Sequence, residues 1–163
     1  MYDLLIKNGQ VVDPDSGINA INDVAIADGM ISRVAAGIPS EEANQVIDVK
    51  GKIITPGLID LHTHVYSGVN GNGVKADIGG IYAGVTTMVD AGSSGCDTYG
   101  GFPEHIIPNN NTEIIPFLHI CRTGLATTPD IFSPSSIDLD KTIQTVEESK
   151  GVIRGIKARM VSP

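Results

Sequence analysis

The sequence predicts an α/β chain in two parts: a small antiparallel β segment over residues 1–55, then a parallel sheet with covering helices over 56–163. Three observations lead to this. Short apolar runs near the start are separated by turn dipeptides; after Pro56-Gly57 the rhythm becomes strand followed by helix-compatible segment; and 41% hydrophobic residues with only 4% aromatics and 19 glycines describe an aliphatic, tightly turned chain rather than a disordered one.

In the first part, runs over 2–7, 11–12 and 23–26 are separated by Asn8-Gly9, Asp13-Pro14-Asp15 and Asp28-Gly29. Asn-Gly and Asp-Gly readily supply the positive backbone angles of hairpin turns. Residues 30–34, 45–49 and 53–55 add further strand candidates. In the second part, 58–65 reads as the first strand and 74–82 as its helix; 85–90 is the second strand, followed by a loop over 91–101 and a helical piece near 102–107. The third strand is 114–121. A helix over 138–150 has Asp138 or Asp140 to cap it, Ile143 and Val146 on one face and Gly151 to end it, and 152–160 is the fourth strand.

A formal net charge of -8, from 11 basic against 19 acidic residues, argues against a nucleic-acid or anionic-membrane partner and for a small-molecule one. No leader pattern or span-length apolar run is present, and two cysteines, Cys96 and Cys121, make no disulfide framework. The expectation is a soluble, cytoplasmic protein.

The most informative stretch is Pro56-Gly57-Leu58-Ile59-Asp60-Leu61-His62-Thr63-His64-Val65. Alternate side chains of a strand share a face, so Asp60, His62 and His64 project to one side, while Ile59, Leu61, Thr63 and Val65 would meet the helices. Two imidazoles on one rigid strand form a metal-binding pair. On the fourth strand Gly155, Lys157 and Arg159 alternate with Ile156 and Ala158, so Lys157 can point toward the histidines if Gly155 leaves space beneath it. A lysine ammonium has no lone pair, but burial beside cations favours the neutral amine, which can add carbon dioxide to become an anionic carbamate.

The decapeptide, together with Gly84-Val85-Thr86-Thr87-Met88-Val89-Asp90-Ala91-Gly92-Ser93 and Gly155-Ile156-Lys157-Ala158-Arg159, resembles the amidohydrolase superfamily of metal-dependent hydrolases, within it the amidohydrolase/deacetylase metallohydrolases related to the dihydroorotases. The resemblance runs over essentially the whole chain. It implies the N-terminal part of a (β/α)8 TIM-like barrel preceded by half of a composite β-sandwich. Such a barrel takes roughly 250 residues, so this chain holds about four βα units.

The resemblance further implies a binuclear centre of two divalent metals, zinc expected, with His62 and His64 as ligands and carboxylated Lys157 as the catalytic bridge. A bridging hydroxide would then attack an amide or ester carbonyl. The expected substrate is a small N-acyl or O-acyl carboxylic acid, making the complete protein a deacetylase. The alternatives are a cyclic-amide hydrolase of the dihydroorotase or dihydropyrimidinase type and, from another class, an inactive metal-binding fragment needing a complementary chain. Two later histidines and an aspartate of the family site have no counterpart among these residues, so the isolated chain is expected to be inactive, and its open strand edges would favour a complementary chain or self-association.

Other residues compete for roles. His119, at the end of the third strand, and Arg159 are candidates for substrate contact, Arg159 through bidentate bonds to a carboxylate; a structural histidine and an ordinary ion pair are the alternatives. Asp90 would frame the site or be a buried carboxylate bonded to backbone amides. His105 reads as surface. Related D-amino-acid deacylases carry a bridging cysteine near the second strand; Cys96 falls several residues past that strand, so Lys157 is the better bridge. The loop Gly92-Ser93-Ser94-Gly95 lacks a phosphate-binding signature.

Overall fold

The structure, a computed structural model, describes residues 1–127 and 133–159. The chain divides into two compact units, Met1–Pro56 and Gly57–Pro163.

The first unit is one mixed sheet. Strand β1 (Tyr2–Asp13) pairs antiparallel with β2 (Ile18–Ala27), which pairs antiparallel with β3 (Met30–Ala35). Strands β4 (Ala43–Asp48) and β5 (Ile53–Ile54) lie along the other side of β1, but parallel to it. The expected all-antiparallel sheet is corrected at that point: a 3₁₀ turn, Ser40–Glu42, leads the chain into β4 in the direction of β1. Asn8-Gly9 is also no hairpin. Asn8 takes φ +64° within a continuous β1, where the register to β2 shifts between Ile6 and Gly9, so the dipeptide makes a bulge. Leu5, Ala25 and Ile38 form the buried core of this unit.

Asp23, 3% exposed, ties that core together. Its carboxylate accepts the Asn8 and Ile38 amides at 2.8 and 2.9 Å and the Lys7 ammonium at 3.1 Å. Burial alone would push its pKa up, but the Asn8 amide and Lys7 outweigh that and hold it below the ordinary carboxylate value.

The second unit has four parallel strands in the order β6 (Leu58–Thr63), β7 (Val85–Asp90), β8 (Glu113–His119) and β9 (Gly155–Lys157). This is the beginning of a (β/α)8 barrel. Strand β7 has a neighbour on each side, and Thr87 to Asp90 are all buried, as a doubly covered strand requires. Strand β6 lies at the sheet edge. Ile59 and Leu61, expected to meet helices, are 58% and 74% exposed, whereas Thr63 and Val65 are buried.

Helix α1 (Ala76–Gly79) is a single turn followed by a 3₁₀ turn, not the helix expected over 74–82. Gly80 breaks it with a backbone angle outside the helical range, packed so closely on Thr112 that no Cβ fits. The short helix is anchored instead by Asp77, which accepts the Asn111 and Thr112 amides at 2.9 and 2.8 Å. A π-helical turn, Phe102–Ile106, buries Phe102 in the core with Tyr66, Tyr99 and Leu118.

Helix α2 (Leu139–Glu148) is capped by Asp138, which accepts the Lys141 amide at 3.0 Å. Its inward stripe is Thr142 and Val146, four residues apart; Ile143 is 57% exposed. Strand β9 is shorter than expected, and Met160, its expected end, lies outside the described residues. Among the described residues no helix is long and apolar enough to cross a membrane.

Candidate metal centre

The strands of the second unit end together, and the polar residues cluster at those ends. Thr63 leads out of β6 with its hydroxyl donating to Val89 O at 2.9 Å, and Ala91 donates to Thr63 O at 2.8 Å. The pairing of β6 with β7 passes from Asp60–Met88 to Thr63–Asp90, so three steps on one strand oppose two on the other. That bulge falls on Leu61 and His62, and it interrupts the strict alternation expected for the pair. Bulges beside active sites re-aim side chains in this way. His62 remains exposed and His64 half-buried, their rings edge-to-face with centroids 5.6 Å apart. Two imidazoles bound to one tetrahedral zinc at about 2.1 Å place their ring centres on the order of 5 Å apart, so the spacing suits a shared metal.

The next shell holds His64 in place. Its Nδ1 shares a hydrogen bond of 3.0 Å with Ser93 Oγ. The Ser93 amide donates to Asp90 at 2.6 Å, and the Val65 amide donates to the other oxygen of Asp90 at 2.8 Å. Asp90, Ser93 and Ser94 have no exposed surface. Asp90 is thus the buried carboxylate bonded to backbone amides, and it frames the site through Ser93. Burial raises its pKa despite those bonds. Burial lowers the His64 pKa; Asp90 opposes this, and His62, Lys157 and Arg159 reinforce it, which puts all four within electrostatic reach of the ring. A neutral imidazole is the form that binds metal.

Lys157 reaches the cluster from β9, half-buried, with its register partner His119 on β8. The space for it comes from Gly92, not from Gly155 as expected. A Cβ on Gly92 would lie 2.5 Å from Lys157 Cβ, and Gly92 takes φ +82°; a Cβ on Gly155 would instead meet the Phe117 ring at 3.1 Å. Gly92 and Ser93 are therefore the site residues that motif reading passed over. Their signal was position: they follow Asp90 directly, at the end of β7.

Among the described residues no group of three or more His, Cys, Asp and Glu side chains is arranged to hold a metal. Lys157, the expected third member of the set, lies within electrostatic reach of His64. His119 contributes differently. It has no exposed surface, its Nδ1 accepts the Cys121 amide at 2.9 Å and its own amide donates to Ser94 O at 2.8 Å, bonds that tie the ring to the loops around the strand ends. Cys96 is buried, and burial raises its thiol pKa. His105 is exposed beside Glu104. Arg159 is exposed just past β9.

Residues 45–100 match the profile of the Amidohydrolase family. A deacetylase from Agrobacterium fabrum is 36% identical over 135 residues, 81% of this chain and 33% of its own length. A dihydroorotase from Citrifermentans bemidjiense is 50% identical over 62 residues, 38% of this chain and 15% of its own length. The crystal structure of a dihydroorotase matches with a TM-score of 0.85 and 30% identity, covering 98% of this chain and 43% of that one. The chain spans about a third of the length of the curated deacetylases it matches, 33% and 36%. With strands, histidine pair and lysine in these positions, the chain belongs to the amidohydrolase superfamily.

Proposed function

We propose that this chain carries half of the active site of a metal-dependent hydrolase that releases acyl groups from N-acyl or O-acyl carboxylic acids. One observation carries the reading: His64, oriented by the Ser93–Asp90 chain, stands with His62 within reach of a lysine seated over Gly92. His62, His64 and Lys157 as its carbamate would hold divalent metal, zinc being suited to this nitrogen and oxygen set. Bound there, the metal would supply an activated water nucleophile and polarise the scissile carbonyl.

The protein's own groups do the positioning. With Nδ1–H donating to Ser93, His64 presents the Nε2 lone pair outward, the arrangement that outer hydrogen bonds impose on ligating histidines. Gly92 allows Lys157 to lie beside the rings. Buried Asp90 fixes the Ser93 amide and keeps the β6 and β7 ends together. The remaining ligands and the proton-transferring carboxylate would come from barrel residues beyond this half.

The deacetylase reading is supported by relatives of that name aligning over 81% and 86% of the chain. A cyclic-amide hydrolase is the second reading, supported by 50% identity to a dihydroorotase over 62 residues. The complete, metal-loaded protein that carries this half-site, assayed against N-acetyl amino acids, O-acetyl hydroxy acids and dihydroorotate, is expected to release acetate and to lose that activity on chelation. Faster ring opening than acetate release would favour the second reading. No turnover with two metals bound would overturn both.

A further inference from the structure

We propose that Asp60 is a positioning residue of the metal centre: its carboxylate accepts the His62 amide inside β6 and so fixes the direction in which His62 leaves the strand. The role rests on the metal-site reading above; the hydrogen bond does not.

The bulge in β6 falls on Leu61 and His62, neither of which pairs in register with a β7 residue. A bulge takes a residue out of the ladder, and its backbone groups then need partners elsewhere. Asp60 Oδ1 supplies one, accepting the His62 amide at 3.1 Å. With the carboxylate ionised this is a charge-assisted bond, stronger than one between neutral groups.

The same two-residue bond occurs elsewhere in the chain, in a different setting. Asp13 accepts the Asp15 amide at 3.2 Å and Asp48 accepts the Lys50 amide at 3.0 Å, each from the last residue of its strand, where the chain turns. A side chain that bonds the backbone two residues on offers it an alternative to the ladder, which is why the bond favours turns. Asp60 makes it within a strand that runs on to Thr63, so it holds open a departure from regular pairing at a residue that has to aim an imidazole.

The two histidines are therefore held by different devices. His64 is held at its ring, through Ser93 Oγ at 3.0 Å; His62, exposed on the edge strand, is held at its backbone by Asp60. A ligating group has to be kept within about 0.5 Å of its productive place. The edge-to-face pair of rings, 5.6 Å between centroids, depends on both devices.

The test uses the complete protein that carries this half-site, labelled with ¹⁵N-histidine, the His62 backbone amide being identified by its loss in His62→Gln. In the metal-free protein, hydrogen exchange of that amide is expected to speed up about tenfold in Asp60→Ala and to stay within about twofold of the parent in Asp60→Asn, whose side-chain oxygen still accepts. Zinc titration is expected to follow the same order, with Asp60→Ala binding about tenfold more weakly and Asp60→Asn within about twofold of the parent. Asp48→Ala, which removes the same kind of bond from the first sheet, is expected to leave zinc affinity unchanged. The other histidine amides report that each variant is folded. Parent-like exchange or parent-like zinc affinity in Asp60→Ala, an Asp60→Asn as weak as Asp60→Ala, or an equal loss in Asp48→Ala would overturn the assignment. If the parent binds no zinc while Asp60 still governs the His62 amide, the metal reading fails and the positioning of His62 stands.

Discussion

The two units each bury a carboxylate against two backbone amides, yet they treat it oppositely. Asp23, in the first sheet, also meets the Lys7 ammonium, and its pKa falls despite burial. Asp90, at the end of β7, accepts the Val65 and Ser93 amides and makes no ion pair with Lys or Arg among the described residues, and burial raises its pKa. A carboxylate with its own cation is a finished structural element. One without a dedicated cation, linked through Ser93 to His64, is what a binding site rather than a framework calls for.

That contrast breaks most severely at Gly92. In Gly92→Ala the new methyl meets Lys157 and the backbone is held at φ +82°, so metal binding should be lost along with about 2 kcal/mol of stability, read by metal analysis and by melting. Replacing the carboxylates separates the units. Asp90→Asn should weaken metal affinity by about 10- to 100-fold in a zinc titration. Asp23→Asn should cost about 2 kcal/mol of stability and leave that affinity unchanged. Equal effects of the two on metal would erase the distinction. Ser93→Ala removes one orienting hydrogen bond and should cost about tenfold in affinity with little change in melting.

Acid gives the mildest version of the same comparison. The His64 pKa lies below 6.5 in the folded chain, so the unfolded chain binds the extra proton first: the neutral-His64 contribution to stability is lost as pH falls below 6.5, and metal binding as pH falls through the lower folded value. The Asp23 pKa lies below 3.8, so its contribution is complete above 3.8 and is lost only as pH falls below that value. Metal affinity should therefore decline at a higher pH than the first sheet loses stability, measured by zinc titration and by circular dichroism across the acid range.

Much of this was legible in the sequence. The strand over 85–90, the Asp138 cap and the placing of Lys157 on a fourth strand follow from period and residue chemistry. What escaped depends on contacts made far along the chain. Asn8-Gly9 carries the same local chemistry in a bulge as in a hairpin, and the Asp23 carboxylate that binds the Asn8 amide lies on another strand. The space for Lys157 was credited to its own strand because alternation is a local rule; Gly92 provides it from the loop after β7. The bulge at Leu61 and His62 arises in pairing with β7, which the letters of β6 do not contain. Ile59 and Leu61 were expected under helices, but an edge strand beside a one-turn helix leaves them open.

The central claim is that His62, His64 and Lys157 form one metal centre. Metal content of the complete purified protein that carries this half-site tests it most directly, comparing the parent with Lys157→Ala, each with and without an added short carboxylate. The parent should hold about two metals, Lys157→Ala about one at most, with the carboxylate restoring part of the second. Unchanged two-metal occupancy in Lys157→Ala would contradict the account.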